Sequence, residues 1–386
     1  MSITSPQGFR AAGVVAGLKS SGALDVALVV NDGPAFAAAG VFTRNKVKAA
    51  PVLWSEQVLT GGALRAVVLN SGGANACTGP EGFQTAHATA ERAAELLGCG
   101  AVEVAVCSTG LIGAQLPRDA VLAGVEKAHA ALAAGEAADD AAAAAIMTTD
   151  TTRKQVKCEN RAGWQIGGMT KGAGMIAPSM ATMLSVLTTD AVLDAAELHN
   201  ALRAAVRVTF DRLDVDGSMS TNDTVLLLAS GASGVRPDPA DFQRSLAQTC
   251  RFLVEQMQAD AEGVTKRIAV RVTGAASEDE AVVVARTVAR DSLVKTALFG
   301  SDANWGRIAA AVGYSDAAVD PDRLDIAIND VQLCTGGVAA GGRTSVDLSG
   351  PEIVVAVALG LGDGEGEILT TDLSHAYVEE NSAYPS

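Results

Sequence analysis

The sequence predicts a layered protein of mixed helices and strands, in the α/β or α+β class. Short apolar runs typical of buried strands alternate with alanine-rich stretches typical of helices. Clusters of Gly, Asn and Asp separate these segments, and the chain contains 40 glycines. With 386 residues and 48% hydrophobic composition, the chain is long enough for two or three domain-sized units and a large core.

The first half of the chain contains four predicted strands and three predicted helices. The strands are predicted at residues 24–30, 36–42, 66–69 and 103–107, where Val, Ala and Leu dominate. The helices are predicted at residues 84–97, 118–131 and 136–147, where Ala and Glu dominate. A Gly/Asn loop follows the third strand at 70–75, and a Ser-Thr-Gly turn follows the fourth at 108–110.

The second half continues the same alternation. Strands are predicted at residues 183–189, 224–229, 267–272, 324–328, 345–348 and 353–359. Helices are predicted from Asp194 to about residue 212, from Asp238 to about residue 262, and at 278–295, because both Asp residues are good helix caps. The Gly-rich segment 360–366 lacks the spacing of a calcium loop and is predicted to be a hairpin turn.

Composition argues against several classes of protein. The net charge is −15, from 44 acidic and 29 basic residues, which disfavours nucleic-acid binding. The sequence has no apolar run of membrane-spanning length and no visible secretory signal, and its six cysteines are scattered. We therefore predict a cytoplasmic protein with reduced thiols. The four histidines are far apart in sequence, so no metal site is predicted.

The most informative segment is 171–190, where a loop of small residues leads into a strand that begins near Thr182. A Thr hydroxyl at this join can attack the preceding carbonyl and break the Ala181–Thr182 bond. The α-amine thereby released can act as the base for the same hydroxyl. On local chemistry alone, the default interpretation of Thr182 remains a structural Thr at a strand start.

The segment around Thr182, KGAGMIAP at 171–178 and MATML at 180–184, resembles the processing site of the ornithine acetyltransferase (glutamate N-acetyltransferase) family. Further matching motifs cover nearly the whole chain: GFRAAG at 8–13, VFTRN at 41–45, NSGGANA at 70–76, STGLIG at 108–113, MTTDT at 147–151, DG at 216–217, STNDT at 220–224, NWGR at 304–307 and EENSAY at 379–384. Several long motifs in the same order make the resemblance specific.

The resemblance implies an enzyme that transfers the acetyl group of N2-acetyl-L-ornithine to L-glutamate in arginine biosynthesis. It implies an αββα sandwich like that of N-terminal-nucleophile hydrolases, with its own strand connectivity, and a smaller α/β subdomain from about residue 275 to 386. The precursor is expected to be cut into an α chain (1–181) and a β chain (182–386) that intertwine and assemble as α2β2. No metal or organic cofactor is expected. Some family members also accept acetyl-CoA, and the sequence leaves that activity open here.

The resemblance also assigns roles to individual residues. Thr182 is the nucleophile, its α-amine is the base, and Thr109 with Gly110 forms the oxyanion hole. The expected substrate-binding residues, besides Thr182, are Thr148, Lys171, Glu262, Asn381 and Ser386. These types suit amino-acid substrates, because Lys pairs with carboxylates and Glu holds an ammonium group.

Two other functions remain open at this point. A self-processing aminopeptidase or amidase would use the same nucleophile and oxyanion hole but pass the acyl group to water. A non-enzymatic α+β protein could bind an amino acid in its Gly-rich loops, and its chain would stay uncut.

Overall fold

The computed structural model describes residues 2–177 and 183–383. The chain divides into two compact units. The first comprises Met1–Asp211 and Ser218–Met257, and the second comprises Arg212–Gly217 and Gln258–Ser386. No helix in the described ranges has the length and apolar character needed to cross a membrane.

The first unit contains the elements of the first two-thirds of the chain. Its strands are β1 (Phe9–Val14), β2 (Val26–Asn31), β3 (Ala37–Phe42), β4 (Ala66–Asn70), β5 (Val104–Ser108), β6 (Lys154–Glu159), β7 (Gln165–Lys171), β8 (Leu184–Thr189) and β9 (Thr224–Ala229). Its helices are α1 (Ala50–Val58), α2 (Gly79–Leu97), α3 (Arg118–Ala130), α4 (Glu136–Ala145), α5 (Ala195–Val208) and α6 (Pro239–Ala259).

These strands form two sheets. The first sheet has the order β1-β2-β4-β5, with β4 and β5 parallel. The second has the order β3-β9-β8-β7-β6, with β8 and β9 parallel. β7 and β8 are antiparallel neighbours in which Lys171 lies opposite Leu184, so the chain between them starts and ends at one place on the sheet.

The two sheets pack face to face. Met169, Val186 and Leu226 of the second sheet belong to the same buried cluster as the first-sheet strands and helices α2 to α4. Successive residues of a strand point to opposite faces of the sheet. Thr170, the residue after Met169, contacts Met257 of α6, so the second face of this sheet is covered by that helix. Helices α1 to α4 pack against the first sheet. The result is a helix–sheet–sheet–helix sandwich, which confirms the layered α/β class predicted from the sequence.

The second unit is a sheet with helices packed against one face. Its strands are β10 (Arg267–Ala275), β11 (Asp325–Ile328), β12 (Val331–Thr335), β13 (Val338–Ala339), β14 (Glu352–Ala358) and β15 (Gly364–Thr371). Its helices are α7 (Glu278–Arg290), α8 (Ser292–Phe299), α9 (Trp305–Gly313) and α10 (His375–Ala383). The strand order is β13-β12-β11-β14-β10-β15, and α7 packs on β10 and β15.

Three predictions for this unit need correction. Segment 360–366 is not a hairpin turn, because β14 and β15 flank β10 and do not pair with each other. Residues 345–348 form no strand: Leu348 is buried in the core, but its carbonyl accepts a hydrogen bond from Lys266 Nζ at 2.6 Å. The predicted helix 278–295 breaks at Asp291, whose backbone is extended and whose side chain caps α8.

The second unit has its first strand before residue 275. β10 starts at Arg267 and is hydrogen-bonded on both sides to strands of this unit, to β14 and to β15. The unit therefore includes the chain from Gln258 onward.

Candidate active site

The predicted cleavage residues Ala181 and Thr182 lie outside the described residues, and so does Ser386. Their described neighbours, Ala177 and Met183, are both buried. β7 ends at Lys171, and β8 begins opposite it at Leu184. The residues around Lys171 are therefore the described part of the chain from which the candidate site can be built.

Lys171 and Thr109 are brought together. Each is almost fully buried, at 1% and 2% exposure, and Lys171 Nζ donates to Thr109 Oγ1 at 3.3 Å. Lys171 is the last residue of β7, and Thr109 follows the last residue of β5, so each of the two sheets supplies one of these side chains. A predicted substrate-binding cation therefore lies next to a predicted oxyanion-hole hydroxyl.

The turn after β5 is fixed by backbone contacts. The Thr109 amide donates to Asn70 O at 3.0 Å, and the Gly73 amide donates to Thr109 O at 3.1 Å. Gly110 has a φ of +127°, and a Cβ there would lie 2.9 Å from Gly73 N, so only glycine fits. Because the Thr109 amide already donates to Asn70 O, the hydroxyl is the donor group that this residue has left.

Thr148 joins this cluster through Asp150. The Thr148 amide donates to Asp150 Oδ2 at 3.0 Å, and the Gly172 amide donates to Asp150 Oδ1 at 2.7 Å. Burial by itself raises the pKa of Asp150, but Lys171, Lys154 and the Thr148 amide together lower it to about 2. The Asp150 carboxylate therefore stays charged and links Thr148 to the end of β7. Asp150 belongs to the motif MTTDT at 147–151, from which no role for its side chain was predicted.

A second buried carboxyl group lies at the start of β8. Asp223 Oδ1 accepts the Met183 amide at 3.2 Å, and Asp223 is fully buried. The preceding side chain, Asn222, donates to Ala74 O at 2.6 Å and to Ser108 O at 2.8 Å. Segment 220–224 thus ties the start of β8 to the end of β5, a role that only the folded chain reveals.

Glu262 and Asn381 belong to the second unit. Asn381 Nδ2 donates to Glu262 Oε2 at 2.9 Å, so these two predicted substrate-binding residues contact each other. Asn381 Nδ2 also donates to Tyr377 O at 3.0 Å, which fixes the amide on α10. Within residues 2–177 and 183–383, no group of three or more His, Cys, Asp or Glu side chains is arranged to hold a metal ion.

Comparison with known proteins decides the family. The model of the ArgJ family matches residues 10–386. The chain belongs to the ArgJ family. The arginine biosynthesis bifunctional protein ArgJ of Mycolicibacterium paratuberculosis is 63% identical, with 100% of this chain and 96% of that protein covered. The ArgJ protein of Streptomyces coelicolor is 58% identical, with both chains fully covered.

A crystal structure of ornithine acetyltransferase from Mycobacterium tuberculosis, complexed with ornithine, is also similar to this ArgJ-family chain. It is 60% identical over 47% of this chain and 96% of that chain, with a TM-score of 0.46. The resemblance found in the sequence is thus confirmed at family level by the ArgJ family match. This ArgJ-family protein is an acyltransferase of arginine biosynthesis, which rules out the non-enzymatic binding protein.

Proposed function

We propose that this chain transfers the acetyl group of N2-acetyl-L-ornithine to L-glutamate, giving L-ornithine and N-acetyl-L-glutamate. The transfer passes through an acetyl ester on Thr182 and follows self-cleavage of the Ala181–Thr182 bond. Membership of the ArgJ family over nearly the whole chain is the observation that carries this proposal. The contact between Lys171 Nζ and Thr109 Oγ1 at 3.3 Å supports it.

In the first half-reaction, the Thr182 hydroxyl attacks the acetyl carbonyl while the Thr182 α-amine takes its proton. An α-amine has an ordinary pKa of about 7.7–8.0, so part of it is neutral and able to act as a base near pH 7. The acetyl C–N bond then breaks, the proton passes to the ornithine nitrogen, and the acetyl group remains on the hydroxyl oxygen.

In the second half-reaction, the neutral amine of glutamate attacks the Thr182 ester. The ester C–O bond breaks, the new C–N bond forms, and the proton lost by glutamate returns to the Thr182 oxygen. Each half-reaction passes through a tetrahedral oxyanion. The Thr109 hydroxyl and the Gly110 amide are the proposed donors to it, and loss of one such donor typically costs about 2.7–4 kcal/mol in the barrier.

Substrate recognition is proposed to use oppositely charged groups. Lys171 pairs with a substrate carboxylate, and Thr148, held by Asp150 beside β7, contacts the same end of the substrate. Glu262, Asn381 and Ser386 are proposed as further contacts, with Glu262 holding an ammonium group. Support for these three comes from the family resemblance and, for the first two, from their mutual hydrogen bond of 2.9 Å.

Several further properties belong to the same proposal. The two chains stay together and assemble as α2β2, the enzyme acts in the cytoplasm, and it needs no metal or organic cofactor. Acetyl-CoA is an additional acetyl donor to test in place of N-acetyl-ornithine.

The first experiment combines N-terminal sequencing with an acetyl-transfer assay on wild-type protein and T182A. Wild type is expected to give two fragments, the second beginning Thr-Met-Leu-Ser-Val, and T182A is expected to stay uncut and inactive. The sustained release of ornithine should depend on glutamate, and N-acetyl-glutamate should form in an amount equal to the ornithine released. One intact wild-type chain would contradict self-cleavage. Cleaved protein that releases acetate without glutamate would instead favour the aminopeptidase or amidase alternative.

A further inference from the structure

Asp150, which holds Thr148 beside β7, also forms a fully buried ion pair with Lys154, and the reaction steps above give this ion pair no part. Its side chain and that of Lys154 are both 0% exposed, and Lys154 Nζ lies 2.6 Å from Asp150 Oδ1. Lys154 is the first residue of β6 and lies opposite Thr170 of β7, one residue before Lys171. Lys154 therefore ties the pair to the strands that carry the site, and Asp150 lies in the segment that precedes β6.

The same carboxylate holds two backbone segments. Asp150 Oδ1 accepts the Gly172 amide at 2.7 Å, and Asp150 Oδ2 accepts the Thr148 amide at 3.0 Å. One side chain thus fixes the turn that carries Thr148 against the end of β7 that carries Lys171. Charged acceptors form short, strong hydrogen bonds of this kind.

Three ammonium groups act on this carboxylate. Lys154 and Lys171 both lower the pKa of Asp150 against the effect of burial. Lys19 donates to Leu24 O at 3.0 Å and to Met147 O at 2.7 Å. Burial lowers the pKa of Lys19, Lys171 lowers it further, and Asp25 and Asp150 raise it. The Asp150 carboxylate therefore offsets part of a concentrated positive charge and, by reciprocity, favours the charged form of Lys171.

We propose that Asp150 is a positioning residue for acetyl transfer, which keeps Lys171 charged and fixes it and Thr148 in place beside Thr109. The inference rests on the proposed function, because it assigns Lys171 and Thr148 to substrate recognition. Asp150 itself is not proposed to contact substrate. A buried ion pair that only stabilises the fold is the competing explanation.

The test compares D150N, K154M and D150N/K154M with wild type and with D140N. Asp140 on α4 is a partly exposed control: it accepts from Gln155 Nε2 at 2.7 Å and pairs with Arg153. For each variant, N-terminal cleavage, thermal unfolding and the pH dependence of kcat/KM for N-acetyl-ornithine are measured. D140N is expected to behave as wild type in kcat/KM and in its pH profile.

D150N removes a negative charge beside Lys171 and so disfavours the charged form of Lys171. We expect kcat/KM to fall at least about tenfold. The alkaline limb of the pH profile of kcat/KM should move to lower pH by roughly one unit. K154M removes a positive charge, so its alkaline limb should move to higher pH. D150N/K154M restores the original charge, so the limb should return toward the wild-type position even if the double variant is less stable.

If Asp150 has a purely structural role, the variants should be less stable, but the alkaline limb should not move in opposite directions in D150N and K154M. An active wild type together with unshifted limbs in D150N and K154M would overturn the inference. If D150N does not fold, K154M decides alone, and an unshifted limb there overturns it. A wild type that neither cleaves nor transfers acetyl would instead refute the proposed function.

Discussion

At the scale of single residues, Asp223 shows how a buried acid can control a neighbouring reactive segment. Burial raises the pKa of Asp223 well above its usual range, although the Met183 amide, the Thr43 and Ser220 hydroxyls and Lys171 oppose this shift. A fully buried carboxyl group with a raised pKa therefore holds the first amide after the predicted nucleophile. Within the described residues, Asp223 Oδ2 has no hydrogen-bond partner.

We expect D223A to slow both cleavage and acetyl transfer by at least about tenfold, because it frees the Met183 amide from its acceptor. D190A is the matched control, since Asp190 is equally buried, follows the other end of β8, and accepts the Gln7 and Gln165 amides at 3.0 and 2.8 Å. Time courses of cleavage on denaturing gels compare the two. Equal cleavage rates in D223A and D190A would contradict a specific role for Asp223.

At the scale of elements, the sequence predicted best the strands whose two faces are both buried. β2, β4, β8 and β9 are continuous apolar or Thr-containing runs, and all their residues are buried. β7 was missed because it contains Gly167 and Gly168, which normally disfavour strands. A Cβ at Gly167 would lie 2.0 Å from Ser2 O, so close packing of the N-terminal segment requires glycine there.

The sequence predicted only part of the candidate site. Thr109, Gly110, Thr148 and Lys171 belong to motifs that can be recognised without any structure. Asp150 and Asp223 also lie in such motifs, but their positioning roles cannot be found in this way, because their partners are distant in sequence. Asp150 contacts Gly172 across 22 residues, and Asp223 contacts Met183 across 40 residues. Only the pairing of β6 with β7 and of β8 with β9 brings those groups together.

Helix α8 is held to its unit by a buried lysine. Lys295 Nζ donates to Val215 O at 2.9 Å, to Thr370 Oγ1 at 3.0 Å and to Thr371 O. Burial lowers the pKa of Lys295 to about 8 from its ordinary 10.5, even though Asp214, Asp372 and Asp216 raise it. The folded state therefore loses this proton at lower pH than the unfolded state does.

The sign of the pH effect follows from that order. Between about pH 8 and 10.5 the unfolded chain binds more protons at Lys295, so this group's contribution to the free energy of unfolding rises with pH. Below pH 8 the cost of burying the charge is complete, and it amounts to at most about 3 kcal/mol.

K295M should remove this rise. The free energies of unfolding of wild type and K295M are measured with denaturant below pH 8 and again near pH 10. The free energy of wild type minus that of K295M should be larger at the higher pH. The lost hydrogen bonds lower the stability of K295M at every pH, so only the change in the difference is informative. Parallel pH curves would contradict the depressed pKa.

At the scale of the molecule, cleavage at Ala181–Thr182 would divide the second sheet of the first unit between two chains. In the order β3-β9-β8-β7-β6, residues 1–181 supply β3, β7 and β6, and residues 182–386 supply β8 and β9. The β8–β9 pair is therefore hydrogen-bonded on both sides to strands of the other fragment, over six residue pairs with β7 and six with β3.

The two fragments should consequently remain together after cleavage. Separating them requires breaking both strand ladders and exposing buried side chains such as Met169, Val186 and Leu226, so no peptide link is needed to keep them associated. In native size-exclusion chromatography, cleaved wild type should elute at the same volume as uncleaved T182A, and denaturing gels of that peak should show both fragments. Separate elution of the fragments without denaturant would contradict the interleaved sheet.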